Sequence, residues 1–220
     1  MIKRESLLLY AVTDRTWLGD NEPLSGAVKK ALEGGVTLLQ LREKNMSKEE
    51  LIRSACEIKE ICRSFGVPLI INDSADVCLA SGADGVHLGQ NDMPLKEARR
   101  LLGPDKIIGI TAKTVEQAIA AEKGGADYIG SGAIFGTSTK SDAKKLEPET
   151  LKAITSAVSI PVVAIGGINA ENAPGLEGLG ISGAAVVSGI FAAHDIRKET
   201  VRLKEIIKTI VHRKTERDTA

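Results

Sequence analysis

Gln40, Arg42 and Lys44 stand at alternate positions in the stretch Leu38-Leu39-Gln40-Leu41-Arg42-Glu43-Lys44. Alternate residues of an extended strand share a face, so an amide and two cations point one way while Leu39 and Leu41 point the other. An arginine and a lysine turned inward without an anion carry a large desolvation cost, which makes a phosphate or diphosphate their natural partner. An internal ion pair with Glu43 or another buried carboxylate is the other way to satisfy them. Asn72-Asp73 follows Leu69-Ile70-Ile71, and Gln90-Asn91-Asp92 follows Val86-His87-Leu88-Gly89. Each aspartate precedes a helical stretch and could cap it. Two carboxylates at neighbouring strand ends also suit magnesium, which binds through one or two carboxylates, waters and phosphate oxygens. His87 has no companion ligands and reads as a packed or hydrogen-bonded residue.

Two further groups complete the inventory. Thr137-Ser138-Thr139-Lys140 offers three hydroxyls and a cation, either as a phosphate-contacting loop or as a solvated turn. Gly166-Gly167 and Val187-Ser188-Gly189 each follow an apolar run. Glycine lets the backbone approach an anion closely, and a barrel often binds phosphate with the loops after its seventh and eighth strands. The charges thus divide into a metal-assisted anion site and a neutral amide site, which implies two small phosphorylated substrates.

Chemistry that recurs at the ends of apolar runs needs a fold that brings those ends together. Candidate strands run over Leu7 to Val12, Leu38 to Leu41, Pro68 to Ile71, Gly85 to Leu88, Lys106 to Ile110, Tyr128 to Gly132, Pro161 to Ile165 and Ala184 to Ser188. Helical periodicity predicts helices over Leu24 to Glu33, Lys48 to Phe65, Ala75 to Ser81, Leu95 to Leu102, Val115 to Lys123, Glu149 to Ala157, Glu171 to Leu179 and Arg197 to Val211. Glycines 34, 66, 103 and 124 are expected to supply left-handed helix ends. Eight β-α units predict a parallel (β/α)8 TIM barrel of the α/β class, a single domain over residues 1–211, with its active site where the strands end. An open doubly wound sheet would carry a G-x-G-x-x-G turn after its first strand, where this chain has Thr13-Asp14-Arg15-Thr16. The charged segment 212–220 is expected to be a frayed tail. The polar connection from Gly136 to Glu147 is long for such a loop and is expected to act as a lid.

Composition narrows the function classes. The 220 residues carry 29 Lys plus Arg against 29 Asp plus Glu, so no global field favours nucleic acid or a membrane surface. No apolar run is long enough to span a bilayer. The first residues lack the shape of a signal peptide, so a cytoplasmic location is expected. Cys56, Cys62 and Cys78 show no paired or metal-like spacing and are expected to be small core residues. No Ser-His-Asp or Cys-His arrangement is recognisable. Nothing in the sequence sets an oligomeric state.

Taken in order, Gln40-Leu-Arg-Glu-Lys44, Asn72-Asp73, His87-Leu-Gly-Gln90, Asp92, Thr137-Ser-Thr-Lys140, Ala164-Ile-Gly-Gly-Ile168 and Val187-Ser188 resemble the thiamine phosphate synthase family over almost the whole chain. The resemblance implies a barrel transferase that joins hydroxymethylpyrimidine diphosphate to thiazole phosphate and releases pyrophosphate. It implies pyrimidine diphosphate contacts from Gln40, Arg42, Lys44, Asn72, Thr111 and Lys140, with Lys140, Arg42 and Thr111 as the catalytic ones. It further implies magnesium (Mg2+) ligation by Asp73 and Asp92, and thiazole phosphate contacts from Thr137, Ser138, Thr139, Gly167, Val187 and Ser188. This chain departs from the family pattern at Thr111 and Lys113, where Ser and His are frequent, and at Ala133 and Gly136, where prolines are frequent. A thiazole tautomerase of similar fold would need neither metal nor diphosphate pocket, and a noncatalytic phosphate-ligand sensor could use the same barrel mouth. The presence of Arg42, Lys44, Asp73, Asp92 and Lys140 argues against the tautomerase.

Overall fold

Runs of four or five apolar residues are too short for helices and find their partners in one another. In the computed structural model, which describes residues 2–19, 22–136 and 145–217, they form eight parallel strands in a closed barrel in sequence order. These are β1 (Leu9–Val12), β2 (Leu38–Leu41), β3 (Leu69–Asn72), β4 (Gly85–Leu88), β5 (Ile107–Thr111), β6 (Tyr128–Gly132), β7 (Val162–Ile165) and β8 (Gly183–Val186). Closure comes from β1 pairing with β8, Tyr10 opposite Ala185. Between and after them lie α1 (Leu24–Glu33), α2 (Lys48–Ser64), α3 (Ala75–Ser81), α4 (Leu95–Leu102), α5 (Val115–Lys123), α6 (Pro148–Ala157), α7 (Ser188–Phe191) and α8 (Ile196–Arg217).

The two-residue period of the strands sorts their side chains into two cores. Leu9, Ala11, Leu39, Leu41, Leu69, Ile71, Val86, Leu88, Ile108 and Ile110 face the helices and join their apolar stripes. Tyr10, Val12, Leu38, Ile70, Tyr128, Val163 and Ala185 fill the barrel interior. Glycine makes room there for the two large rings and an imidazole. A Cβ at Gly109 would collide with the Tyr128 ring, and one at Gly130 would lie 2.9 Å from His87 Cε1.

Several boundaries differ from the sequence expectation. The predicted helix over Glu171 to Leu179 is a single 3-10 turn, Ala173–Leu176. Pro174 lacks the amide proton a helix needs, and Gly178 and Gly180 take positive φ values of 79° and 77°. Ser188 does not end β8 but opens the short helix α7. The last helix continues to Arg217, through part of the segment expected to fray. At Gly34-Gly35 and Gly124-Gly125 the second glycine carries the positive φ, 96° at Gly35 and 87° at Gly125, while Gly34 and Gly124 remain right-handed. Cys62 and Cys78 are buried as expected, and burial pushes their thiols up to about 12 and about 11. Cys56 instead lies exposed on α2. No helix among the described residues is long and apolar enough to cross a membrane.

Candidate active site

A cavity of about 470 Å³ opens at the carboxyl ends of the strands, and all eight strands or the residues just beyond them line it. Gln40, Arg42, Asn72, Asp73, Asp92, Thr111, Gly167, Val187 and Ser188 all stand on its wall. Lys44 does not. β2 ends at Leu41, the chain bends, and Lys44 is exposed beyond the cavity lining, so strand alternation carries the side-chain parity only as far as Arg42. Thr137, Ser138, Thr139 and Lys140 lie outside the described residues, as does most of the connection expected to form a lid.

Arg42 is held from two sides. Its amide N–H donates to Thr13 Oγ1 at 3.0 Å, and its Nη1 donates to Asp14 Oδ2 at 3.1 Å in an ion pair buried on both sides. The internal ion pair weighed from sequence therefore exists, with Asp14 as the carboxylate. Asp14 is itself oriented, its Oδ1 accepting from the amide of Thr16 at 3.1 Å and from the Thr16 hydroxyl at 2.7 Å. The pairing leaves Arg42 Nη2 buried with no hydrogen-bond partner among the described residues. A buried donor left unmade costs about 1–3 kcal/mol, more when charged, and Arg42 stands on the cavity wall with a donor that its described neighbours leave unused. Next to it, Glu43 pairs with Arg15 at 2.9 Å. Burial raises the Glu43 carboxyl above its ordinary value, and the Arg15 guanidinium offsets only part of that.

Neither aspartate caps a helix. Ser74 takes that role for α3, accepting from the Val77 amide, while Pro94 precedes α4 without a side-chain cap. Asp73 sits in the left-handed region at φ 62°, uncommon outside glycine, and its amide donates to the His87 carbonyl at 2.8 Å. Asp92 Oδ2 accepts from the Gly89 amide at 2.6 Å, which fixes the carboxylate against the β4 end. No cluster of three or more His, Cys, Asp or Glu capable of holding a metal occurs among the described residues. Asp73 and Asp92 both line the cavity, and a hard cation bound through one or two carboxylates, water and phosphate oxygens needs no all-protein cage.

Across the mouth, Gly166 and Gly167 adopt φ values of 105° and 67°. A Cβ on Gly167 would run into the carbonyls of Phe135 and Gly136, so only glycine fits this loop. Asn172 Nδ2 donates to the Gly167 carbonyl at 2.8 Å, and its Oδ1 accepts from the Asn169 amide at 2.9 Å, holding the turn shut from behind. Ser188, at the start of α7, lines the cavity beside Val187.

The sequence assigns other wall residues no place in the site. Tyr10, His87, Gln90, Lys113 and Gln117 also line the cavity. His87 is hydrogen-bonded, as expected of it, but to Thr111 on one side and Tyr128 on the other. Its inward position could have been read from β4, where Gly85 and His87 share the parity of the interior.

A family model for thiamine monophosphate synthase matches residues 9–190. The chain belongs to the thiamine monophosphate synthase family. It is 53% identical over 198 residues to a thiamine-phosphate synthase of Ruminiclostridium cellulolyticum, covering 90% of this chain and 94% of that protein. A thiamine-phosphate synthase of Clostridium acetobutylicum is 49% identical over 207 residues, covering 94% and 98%. Among solved structures, a thiamine phosphate pyrophosphorylase from Pyrococcus furiosus superposes with a TM-score of 0.87 at 40% identity, covering 94% of this chain and 98% of that one. The two sequence relatives carry the synthase name and the solved structure the pyrophosphorylase name, and none of them favours the tautomerase or sensor reading.

Proposed function

We propose that this barrel performs the synthase reaction of its family, joining hydroxymethylpyrimidine diphosphate to thiazole phosphate with release of pyrophosphate. The observation that carries this reading is the wall of one cavity on which Arg42, Asp73 and Asp92 stand together, with Arg42 Nη2 left without a hydrogen-bond partner among the described residues. The C–O bond between the pyrimidine methylene and the diphosphate breaks with its electron pair leaving on pyrophosphate. The thiazole nitrogen lone pair then forms the new C–N bond, and no proton needs to move. Asp73 and Asp92 would hold magnesium, which when bound would neutralise charge on the leaving group.

Arg42, fixed by Asp14, would present its second nitrogen to the diphosphate, where preorganised charge counts most. Asn72, Thr111 and Gln40 would orient the pyrimidine diphosphate in the same cavity, and Lys44 and Lys140 would add charge to its phosphate contacts. The Gly166-Gly167 turn with Val187 and Ser188 would receive the thiazole phosphate, together with Thr137, Ser138 and Thr139. The chain's own residues need supply no nucleophile for this reaction.

Incubation of the purified protein with both substrates and magnesium should release pyrophosphate and thiamine phosphate in equal amounts. Release of neither product would sink the synthase reading, and pyrophosphate without thiamine phosphate would leave only a diphosphate hydrolase.

A further inference from the structure

Along the floor of the cavity, one line of hydrogen bonds crosses the barrel from β2 to β5, with Tyr128 alone set behind the lining. Gln40 Nε2 donates to Tyr10 Oη. Tyr10 Oη lies 2.8 Å from Tyr128 Oη, Tyr128 Oη lies 3.0 Å from His87 Nδ1, and His87 Nε2 lies 3.0 Å from Thr111 Oγ1. Both phenols are fully buried, edge to face with ring centroids 5.9 Å apart, in space that Gly109 leaves open. The two ends, Gln40 and Thr111, face the cavity.

A phenol has one proton to give, and this makes the line directional. With Gln40 donating into Tyr10, the Tyr10 proton goes to Tyr128 and the Tyr128 proton goes to His87 Nδ1. His87 in its neutral form then carries its hydrogen on Nε2 and donates it to Thr111. Every group is satisfied, and the Thr111 hydroxyl keeps its own proton to offer the cavity. The opposite direction would leave the Tyr10 proton without an acceptor in the line unless the Gln40 amide turned over. Amide orientation at one end and imidazole tautomer at the other are therefore one variable.

We propose that Tyr10 and Tyr128 are positioning residues for the synthase reaction, setting an acceptor at Gln40 Oε1 and a hydroxyl donor at Thr111 on the pyrimidine side of the cavity. Neither tyrosine touches the reacting atoms. Burial, with the neighbouring Tyr10 adding to it at Tyr128, holds both phenols protonated far above the ordinary phenol range, so they remain O–H donors throughout the working pH range. The inference rests on the assignment of Gln40 and Thr111 to the pyrimidine diphosphate.

The test begins on the free wild-type protein. Nitrogen-detected imidazole spectra, taken at a pH where His87 is neutral and assigned with a His87→Gln variant, should show the Nε2–H tautomer. An Nδ1–H tautomer would overturn the proposal, and this readout does not depend on any variant folding. Tyr128→Phe keeps the ring that fills the space beside Gly109 but removes the donor to Nδ1. It should shift the His87 tautomer and raise KM for the pyrimidine diphosphate about tenfold, the scale of one hydrogen bond, with KM for the thiazole phosphate unchanged. Equal rises in both KM values would mean a merely structural role and overturn the proposal. An unchanged pyrimidine KM in Tyr128→Phe, with Gln40→Ala impaired, would overturn the positioning line alone. Unchanged pyrimidine KM in both variants would instead remove the site assignment beneath it.

Discussion

Two carboxyl groups near the mouth differ in what holds them, and their variants should differ accordingly. Asp92 accepts a short bond from the Gly89 amide, which the carbonyl of an asparagine can also accept, so Asp92→Asn should fold with an unchanged melting temperature. It loses the charge proposed to bind magnesium, so kcat/KM should fall by about a hundredfold or more, and raising magnesium should recover part of it. Steady-state kinetics across a magnesium titration check this; full activity in the presence of excess chelator would remove Asp92 from the metal site. Glu43 behaves otherwise. Its carboxyl is raised by burial, and its Oε1 has no hydrogen-bond partner among the described residues. A raised folded value means the folded protein binds that proton more tightly than the unfolded chain does. The contribution to stability is complete below the free glutamate value of about 4.3 and is lost as pH rises through the folded value. Glu43→Gln removes this loss, so its melting temperature relative to wild type should climb as pH rises above the free glutamate value of about 4.3. A difference that stays flat or falls over that range would show that Arg15 compensates the buried carboxylate fully.

At the scale of elements, stability and chemistry separate. The α2 helix starts at a reciprocal cap in which Ser47 Oγ accepts from the Glu50 amide at 3.2 Å and Glu50 Oε2 accepts from the Ser47 amide at 2.8 Å. Ser47→Ala should cost about 1 kcal/mol in denaturant unfolding and leave both KM values alone, because the cap lies outside the cavity; a change in either KM would reveal coupling from α2 to the mouth. Such elements were legible in the sequence, since strands β2, β4 and β6 and helices α1, α3, α4 and α5 coincide with their apolar patterns. What the sequence hid were contacts that depend on a partner far along the chain. Arg42 and Asp14 are 28 residues apart and Tyr10 and Tyr128 are 118 apart, so neither pairing leaves a local signature. Lys44 was misplaced because a period-two argument says nothing about where a strand stops. The stretch over Glu171 to Leu179 has helical spacing, but its proline and glycines cost more than that spacing returns.

The molecule as a whole makes the site from all eight strands, and this sets how ligand binding should register. β8 closes against β1 so tightly that a Cβ on Gly183 would overlap the Leu7 carbonyl, and the barrel has no free edge at which one half could open alone. A ligand gripped by Arg42 after β2 and by the carboxylates after β3 and β4 therefore loads the same closed sheet that carries the Gly167 loop after β7. Unfolding should appear in calorimetry as one transition with and without ligand. Magnesium and pyrophosphate at about a hundred times their dissociation constant should stabilise the folded state by about 2.7 kcal/mol, which for a domain of this size moves the midpoint up by about 5–10 °C. The whole transition should move, with no lower-melting shoulder left behind. Arg42→Ala should reduce the shift sharply because pyrophosphate loses the guanidinium proposed to hold it, while Ser47→Ala should keep the full shift from a lower starting midpoint. A shift of equal size in Arg42→Ala would place the pyrophosphate elsewhere on the protein. A second transition that alone responds to ligand would show that the barrel is two units and that its mouth is held by only one of them.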